Sequence, residues 1–325
     1  MLLVSASCGK DDTPAFPVGP ETPGQTTETT LKAGFGPVTY ATIPASDDEK
    51  QLRSVAFFVE TTGGGFLRFF SDETQGSATA FATTTQDTDG NYTAASLKLG
   101  NGVSGNATVT VIGNYVENDL AAALKAVATP SALADLKHTL SASGPSVPLL
   151  TFQQKVVNLQ TAATTSELFS LKRIAARIDM PLTVTVTSDE GDPITGNDRF
   201  DYFRIEDVRI VGAKSAAYLL PTTDANVLVI PQTAEYMTGT PAGYTITFYP
   251  YEMRSGDAPL EVYIVYKTRL STDDAWTQQF RKVTVDIPAS GIGRNKYYPV
   301  TVAGGQLTFV LSGVSDWDEG GMIGG

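Results

Sequence analysis

The chain has 325 residues, of which 42% are hydrophobic and only 18% charged, with a formal net charge of −12. One hydrophobic core becomes awkward beyond roughly 250–300 residues, so two domains are expected. The negative balance argues against a nucleic-acid binder, and a single cysteine with a single histidine excludes an internal disulfide and a clustered Cys/His zinc site. No apolar run reaches the ~18 residues of a membrane-spanning helix.

The chain opens MLLVSAS, then its only cysteine, Cys8. An apolar run followed by small residues ends a secretory signal. Val4-Ser5-Ala6-Ser7-Cys8 is similar to the end of a bacterial lipoprotein signal, which places the lipid on Cys8. The apolar run is short and no basic residue precedes it, so further residues are expected upstream. Residues 9–30 are rich in Pro, Gly and Thr and lack periodicity, which reads as a flexible tether.

The first strand is expected from Thr30, with Leu31, Ala33 and Phe35 alternating against polar or small residues. After a loop, Leu52–Glu60 follows; its centre, Val55–Val59, is apolar throughout and suits a strand buried on both faces. Gly63-Gly64-Gly65 turns the chain into a hairpin partner, GFLRFFSDE. Strands continue over 77–112, with Asp89-Gly90 and Asn101-Gly102 as hairpin signals. Asp87-Thr-Asp89-Gly-Asn91 reads as a turn, because no glutamate stands where a calcium loop needs its twelfth residue.

A helical tract is expected over 117–140, split at Pro130, with Thr129 or Ser131 capping its second part. His138 lies off its apolar stripe and reads as a surface residue. Strands resume at 148–160 and recur to residue 314 with no helical period after 190, the texture of a β-sandwich. The texture changes near residue 165, which sets the expected boundary.

Several stretches, in order along most of the chain, resemble the fimbrillin family, the type V pilus subunits of Bacteroidia. They are Cys8 with Lys10-Asp11-Asp12, the strands at 31–35 and 52–60, and Ala107–Asn114 leading into a helix. Further along come Leu171–Ile178, Ile205–Ile210, Phe248-Tyr-Pro-Tyr-Glu252, Gly293-Arg-Asn-Lys-Tyr-Tyr298 and Val314-Ser-Asp-Trp317. The resemblance implies a mainly β fold of two transthyretin-like β-sandwich domains, with a short helical segment in the first. The expected divisions are 1–29 (signal remnant and tether), 30–165 and 166–325.

The resemblance also implies a structural subunit of a cell-surface fimbria, exported as an outer-membrane lipoprotein through Cys8 and supporting adhesion. Assembly would follow removal of the first strand by a protease and its replacement by another subunit's terminal strand. Leu31, Ala33 and Phe35 would vacate the slot, and Leu307, Phe309 and Leu311 have a donor strand's alternation. An ordinary edge strand explains the latter three equally well. Residues 33–49 hold no Arg or Lys, so processing would fall at Lys50 or Arg53. An uncut chain would instead be a lipid-tethered anchor or a tip adhesin.

The implied partners are other fimbrial subunits, the outer membrane through the lipid on Cys8 before assembly, and a host or bacterial surface ligand. No nucleic acid, cofactor, metal or catalytic residue is expected. There is no nucleophile elbow with partners and no Gly-rich phosphate loop, and carboxylate pairs such as Asp47-Asp48 and Asp273-Asp274 read as solvated loops. A surface glycan-binding lipoprotein is the remaining alternative, with Trp276 and Trp317 as the only tryptophans to build a sugar platform.

Overall fold

The computed structural model describes residues 29–34, 52–73, 80–83, 95–99, 105–139, 148–159, 165–181, 186–187, 193–194, 203–221, 233–238, 245–269, 275–303, 308–311 and 315–316. The first half runs β1 (Thr29–Gly34), β2 (Val55–Thr61), β3 (Phe66–Phe70), β4 (Ala80–Thr83), β5 (Ala95–Leu99), β6 (Gly105–Gly113), α1 (Ala121–Ala126), α2 (Pro130–Ala134), β7 (Lys137–Thr139), β8 (Thr151–Leu159), β9 (Thr165–Ser170) and β10 (Lys172–Arg173). The second half runs β11 (Arg177–Pro181), β12 (Val186–Thr187), β13 (Pro193–Ile194), β14 (Phe203–Lys214), β15 (Ala216–Tyr218), β16 (Thr233–Thr238), β17 (Thr245–Phe248), β18 (Leu260–Thr268), β19 (Thr277–Val285), β20 (Lys296–Ala303), β21 (Thr308–Leu311) and β22 (Ser315–Asp316). The fold is mainly β, as the sequence leads one to expect.

Two sheets face each other in the first half, in the orders β4-β5-β1-β9 and β10-β8-β6-β2-β3. Leu31, Ala33, Leu97, Leu99 and Phe169 of the first sheet pack on Val55, Phe57, Val59, Val109, Val111 and Leu159 of the second. The second sheet is covered on its other face too. There Ala56, Phe58, Phe70 and Ile112 pack beneath Leu124 and Leu133 of the helices and beneath Leu219, Leu220 and Tyr251 from the second half. The Val55–Val59 part of β2 is therefore apolar throughout for the reason its sequence suggests: neither face meets water. Its hairpin with β3 forms through Gly64, at φ 83°, where a side chain would be strained.

In the second half, sheets ordered β17-β11-β20-β21, with β22 also on β20, and β16-β14-β18-β19 enclose another core. Ile178, Met180, Ile246 and Phe248 meet Val208, Ile210, Val262 and Ile264 there.

Three expectations change. The stretch around Asn101-Gly102 does not join a hairpin, because β5 pairs with β1 and β4 while β6 pairs with β2 and β8. The chain crosses between sheets there, so that Leu97 and Val109 enter one core from opposite sides. The helical tract is shorter than 117–140: Thr129 caps α2 by accepting from the Ala132 amide at 3.1 Å, but the helix stops at Ala134 and β7 follows. His138 is consequently buried, since alternation along β7 turns it inward while Lys137 and Thr139 face out.

The change of texture at 165 does not coincide with a change of sheet. Strand β9 runs parallel to β1 and β10 pairs with β8, so the first sandwich's hydrogen bonding continues to Arg173.

Candidate functional site

Strand β1 occupies the middle of its sheet. Its residues pair antiparallel with β5 (Leu31 opposite Leu97, Ala33 opposite Ala95) and parallel with β9 (Leu31 opposite Glu167, Ala33 opposite Phe169). Leu31 and Ala33 are wholly buried, and Lys32 between them is exposed. That is the period of two for a strand with one face on the core. Phe35, the third side chain of the expected set, lies outside the described residues, as do Cys8, the tether and Lys50. Without β1, facing edges of β5 and β9 would line a slot floored by Phe57 and closed at one side by Phe169. These two rings meet edge to face, 6.4 Å apart.

Edge strand β9 is pinned from the opposite sheet. The Lys155 amine binds the Glu167 carboxylate at 2.8 Å and the Leu168 carbonyl at 2.9 Å, and stands over the Phe169 ring at 4.7 Å. One lysine thus blunts the edge and holds it in place.

Arg53, just before β2, is exposed, but the backbone beside it is not loose. Its amide donates to Asn114 Oδ1 at 2.8 Å, and the carbonyl of the next residue, Ser54, accepts from the Asn114 amide at 2.6 Å. Ser54 is itself buried; its hydroxyl donates to Glu117 at 2.5 Å and accepts from the Val116 amide at 3.0 Å. The Arg53–Ser54 bond therefore lies in a folded, hydrogen-bonded segment.

Strand β21 lies at the edge of its sheet, antiparallel to β20, with Phe309 opposite Val302 and Leu311 opposite Val300. Leu307 lies outside the described residues. Trp276 does not offer a bare ring: the Arg204 and Arg269 guanidiniums stand over it, 4.4 and 4.6 Å from its centre. Trp317 is outside the described residues. Among the described residues no group of three or more His, Cys, Asp or Glu could hold a metal ion.

Three stretches picked out by sequence meet in a joint between the halves, which sequence reasoning alone did not locate. From Gly293–Tyr298, Arg294 donates to Glu252 at 3.1 Å and to the carbonyls of Leu219 and Tyr218 at 3.0 and 2.8 Å. Its guanidinium also stands over the Phe152 ring of the first sandwich. Asn295 accepts from the Arg173 amide at 3.1 Å, and the Ala176 amide donates to Pro250 at 2.9 Å. Strands β7 and β15 pair across the same joint, and Tyr251 donates its hydroxyl to His138.

No family model matches the chain, and no curated protein matches it. Solved structures do. A candidate cell adhesion protein from Bacteroides eggerthii shares 15% identity, with a TM-score of 0.51 over 90% of this chain and 92% of that one. A second, from Parabacteroides distasonis, shares 18% identity with a TM-score of 0.48 over 90% of each chain. A third, from Bacteroides uniformis, shares 11% with a TM-score of 0.49 over 89% of this chain and 98% of that one. The first of these likenesses is one of fold.

Proposed function

We propose that this chain is a structural subunit of a cell-surface fimbria, exported as a lipoprotein through Cys8 and assembled by donor-strand exchange in support of adhesion. The observation that carries the reading is the position of β1. It is the first of the described strands, and it completes a core from the middle of a sheet, held there by the ladders to β5 and β9. A fold with that arrangement can lose the strand and keep the slot. The candidate cell adhesion protein that shares this fold is in keeping with it.

Cleavage acts through effective concentration. While the 35–51 segment is intact, β1 is an intramolecular ligand that no other subunit can outcompete; once cut, it is one strand among others. An incoming strand then satisfies the exposed N–H and C=O groups of β5 and β9 and refills the places of Leu31 and Ala33. Phe309 and Leu311 of β21, at a sheet edge, belong to the segment we assign as donor.

The cut is assigned to Lys50 rather than Arg53. A trypsin-like protease needs several residues of free backbone around the bond, and Asn114 holds the backbone on both sides of Arg53–Ser54.

Digestion of the folded protein tests this. A Lys-specific protease should cut after Lys50 far faster than an Arg-specific one cuts after Arg53, and Lys50→Ala should stop it. The trimmed protein should then bind a synthetic peptide of residues 305–314, and a peptide with Leu307, Phe309 and Leu311 replaced by Ser should not bind. Equal cutting at Arg53 would overturn the assignment; failure of the trimmed protein to bind any strand would overturn the mechanism.

A further inference from the structure

The chain's only histidine is buried at the joint between its two halves, 8% exposed. Its Nε2 lies 3.1 Å from the Asn118 carbonyl, which can only accept, so Nε2 carries the proton. Its Nδ1 is thus the lone-pair nitrogen, and it accepts the Tyr251 hydroxyl. The neutral ring satisfies both nitrogens and links three pieces of chain: the turn before α1, strand β7 and the Tyr251 bridge, which also pairs with Ala175. A second proton would sit on Nδ1, directly facing a hydroxyl that now donates to it.

We propose that His138 is a proton-operated latch: neutral, it closes the joint between the two sandwiches; protonated, it loosens it. The charged and titratable groups around it do not cancel the effect. Asp119, on the turn beside Asn118, and the Asn118 carbonyl both favour a charged ring, but burial opposes it more strongly and holds the ring below its ordinary value of 6.5. Lys137, beside it on β7, is exposed and lies over the Tyr218 ring of β15 at 4.5 Å. Glu252 and Arg294, next to Tyr251 in the joint, bind each other.

The sign follows from linkage. With the closed joint holding the ring's pKa below that of the open one, the open joint takes up the proton first as pH falls. Closure is therefore at full strength well above pH 6.5 and weakens as the pH falls through that value, by at most about fivefold between pH 6.5 and 5.5 for one proton. The device makes the joint tighter at neutral pH than in mild acid, whether or not β1 has been removed.

Hydrogen exchange read as protection factors, with NMR of the single imidazole, tests it on the full chain. The ring should titrate below 6.5. Protection of the amides in 137–139 and 216–219 should fall, by at most about fivefold, from pH 6.5 to 5.5, while β6 and β8 hold theirs. His138→Asn should abolish that difference. A ring that titrates at 6.5 or above, unchanged protection, or the same acid loss in the variant would each overturn the proposal. Should the variant fail to fold, the wild-type titration and protection decide alone.

Discussion

Asn114 bears more of the site than its place in the sequence suggests. It sits at φ 61°, a left-handed conformation that Asn tolerates better than most residues. From there its side chain accepts from the Arg53 amide and donates to the Leu149 carbonyl at 2.9 Å, while its own carbonyl accepts from Asn118 at 2.8 Å. Replacing it with Ala strands buried backbone groups, each costing about 1–3 kcal/mol. Asn114→Ala should therefore lose about 2–4 kcal/mol in urea unfolding. It should also open the Arg53–Ser54 bond to an Arg-specific protease. A variant that stays resistant at Arg53 would show that something other than Asn114 guards the bond. The sequence marks Asn114 as the end of a strand. It does not reveal the grip on Arg53, because the contact spans a long stretch of chain and depends on a backbone angle. His138 is the opposite case. Its neighbours Leu136 and Leu140 extend the helical period of Leu120 and Leu124, so a ring that alternation along a strand buries looks like one on a helix surface.

At the scale of elements, β1 announces itself, and its setting does not. Alternation of Leu31 and Ala33 with Thr30 and Lys32 fixes a half-buried strand. Nothing local shows that the strand is central rather than an edge, since its parallel partner β9 comes from the far end of the first sandwich. Parallel pairs need long crossovers and leave no turn signal. The same limit hides the placing of β5 and β6 in different sheets, since Asn101-Gly102 in the sequence between them carries the composition of a hairpin. If β1 fills its slot through side-chain burial, Leu31→Ala in the uncut protein should cost about 2–5 kcal/mol. In the cut protein it should speed strand loss, read by the release of the N-terminal fragment on a sizing column. Exposed Lys32→Ala should change stability by no more than about 0.5 kcal/mol. A Leu31→Ala variant as stable as Lys32→Ala would mean the slot does not depend on that side chain.

The whole molecule is two sandwiches tied by a third core. Composition and length imply two domains, and many short strands imply sandwiches; the sandwich texture is legible. The tie is not, because it is assembled from β7, β15, Tyr251 and the Arg294 loop, segments that look like connections. Its size has a consequence for stability. Buried residues from both halves share one cluster, so the halves should unfold together. Arg294→Ala removes the bonds to Glu252, Tyr218 and Leu219 and should cost about 1–3 kcal/mol. It should also split unfolding into two steps, with Trp276 fluorescence reporting the second half and exchange in β6 the first. One coincident transition in Arg294→Ala would show that the shared apolar cluster alone couples the halves.

The central claim is that β1 is a removable strand. The most direct measurement is the intact mass and N-terminal sequence of the protein taken from the native cell surface in its assembled form. The account predicts a chain that begins at Gln51, with the lipid and residues 29–34 gone. Assembled protein that still carries an acylated Cys8 and β1 in every copy would contradict it.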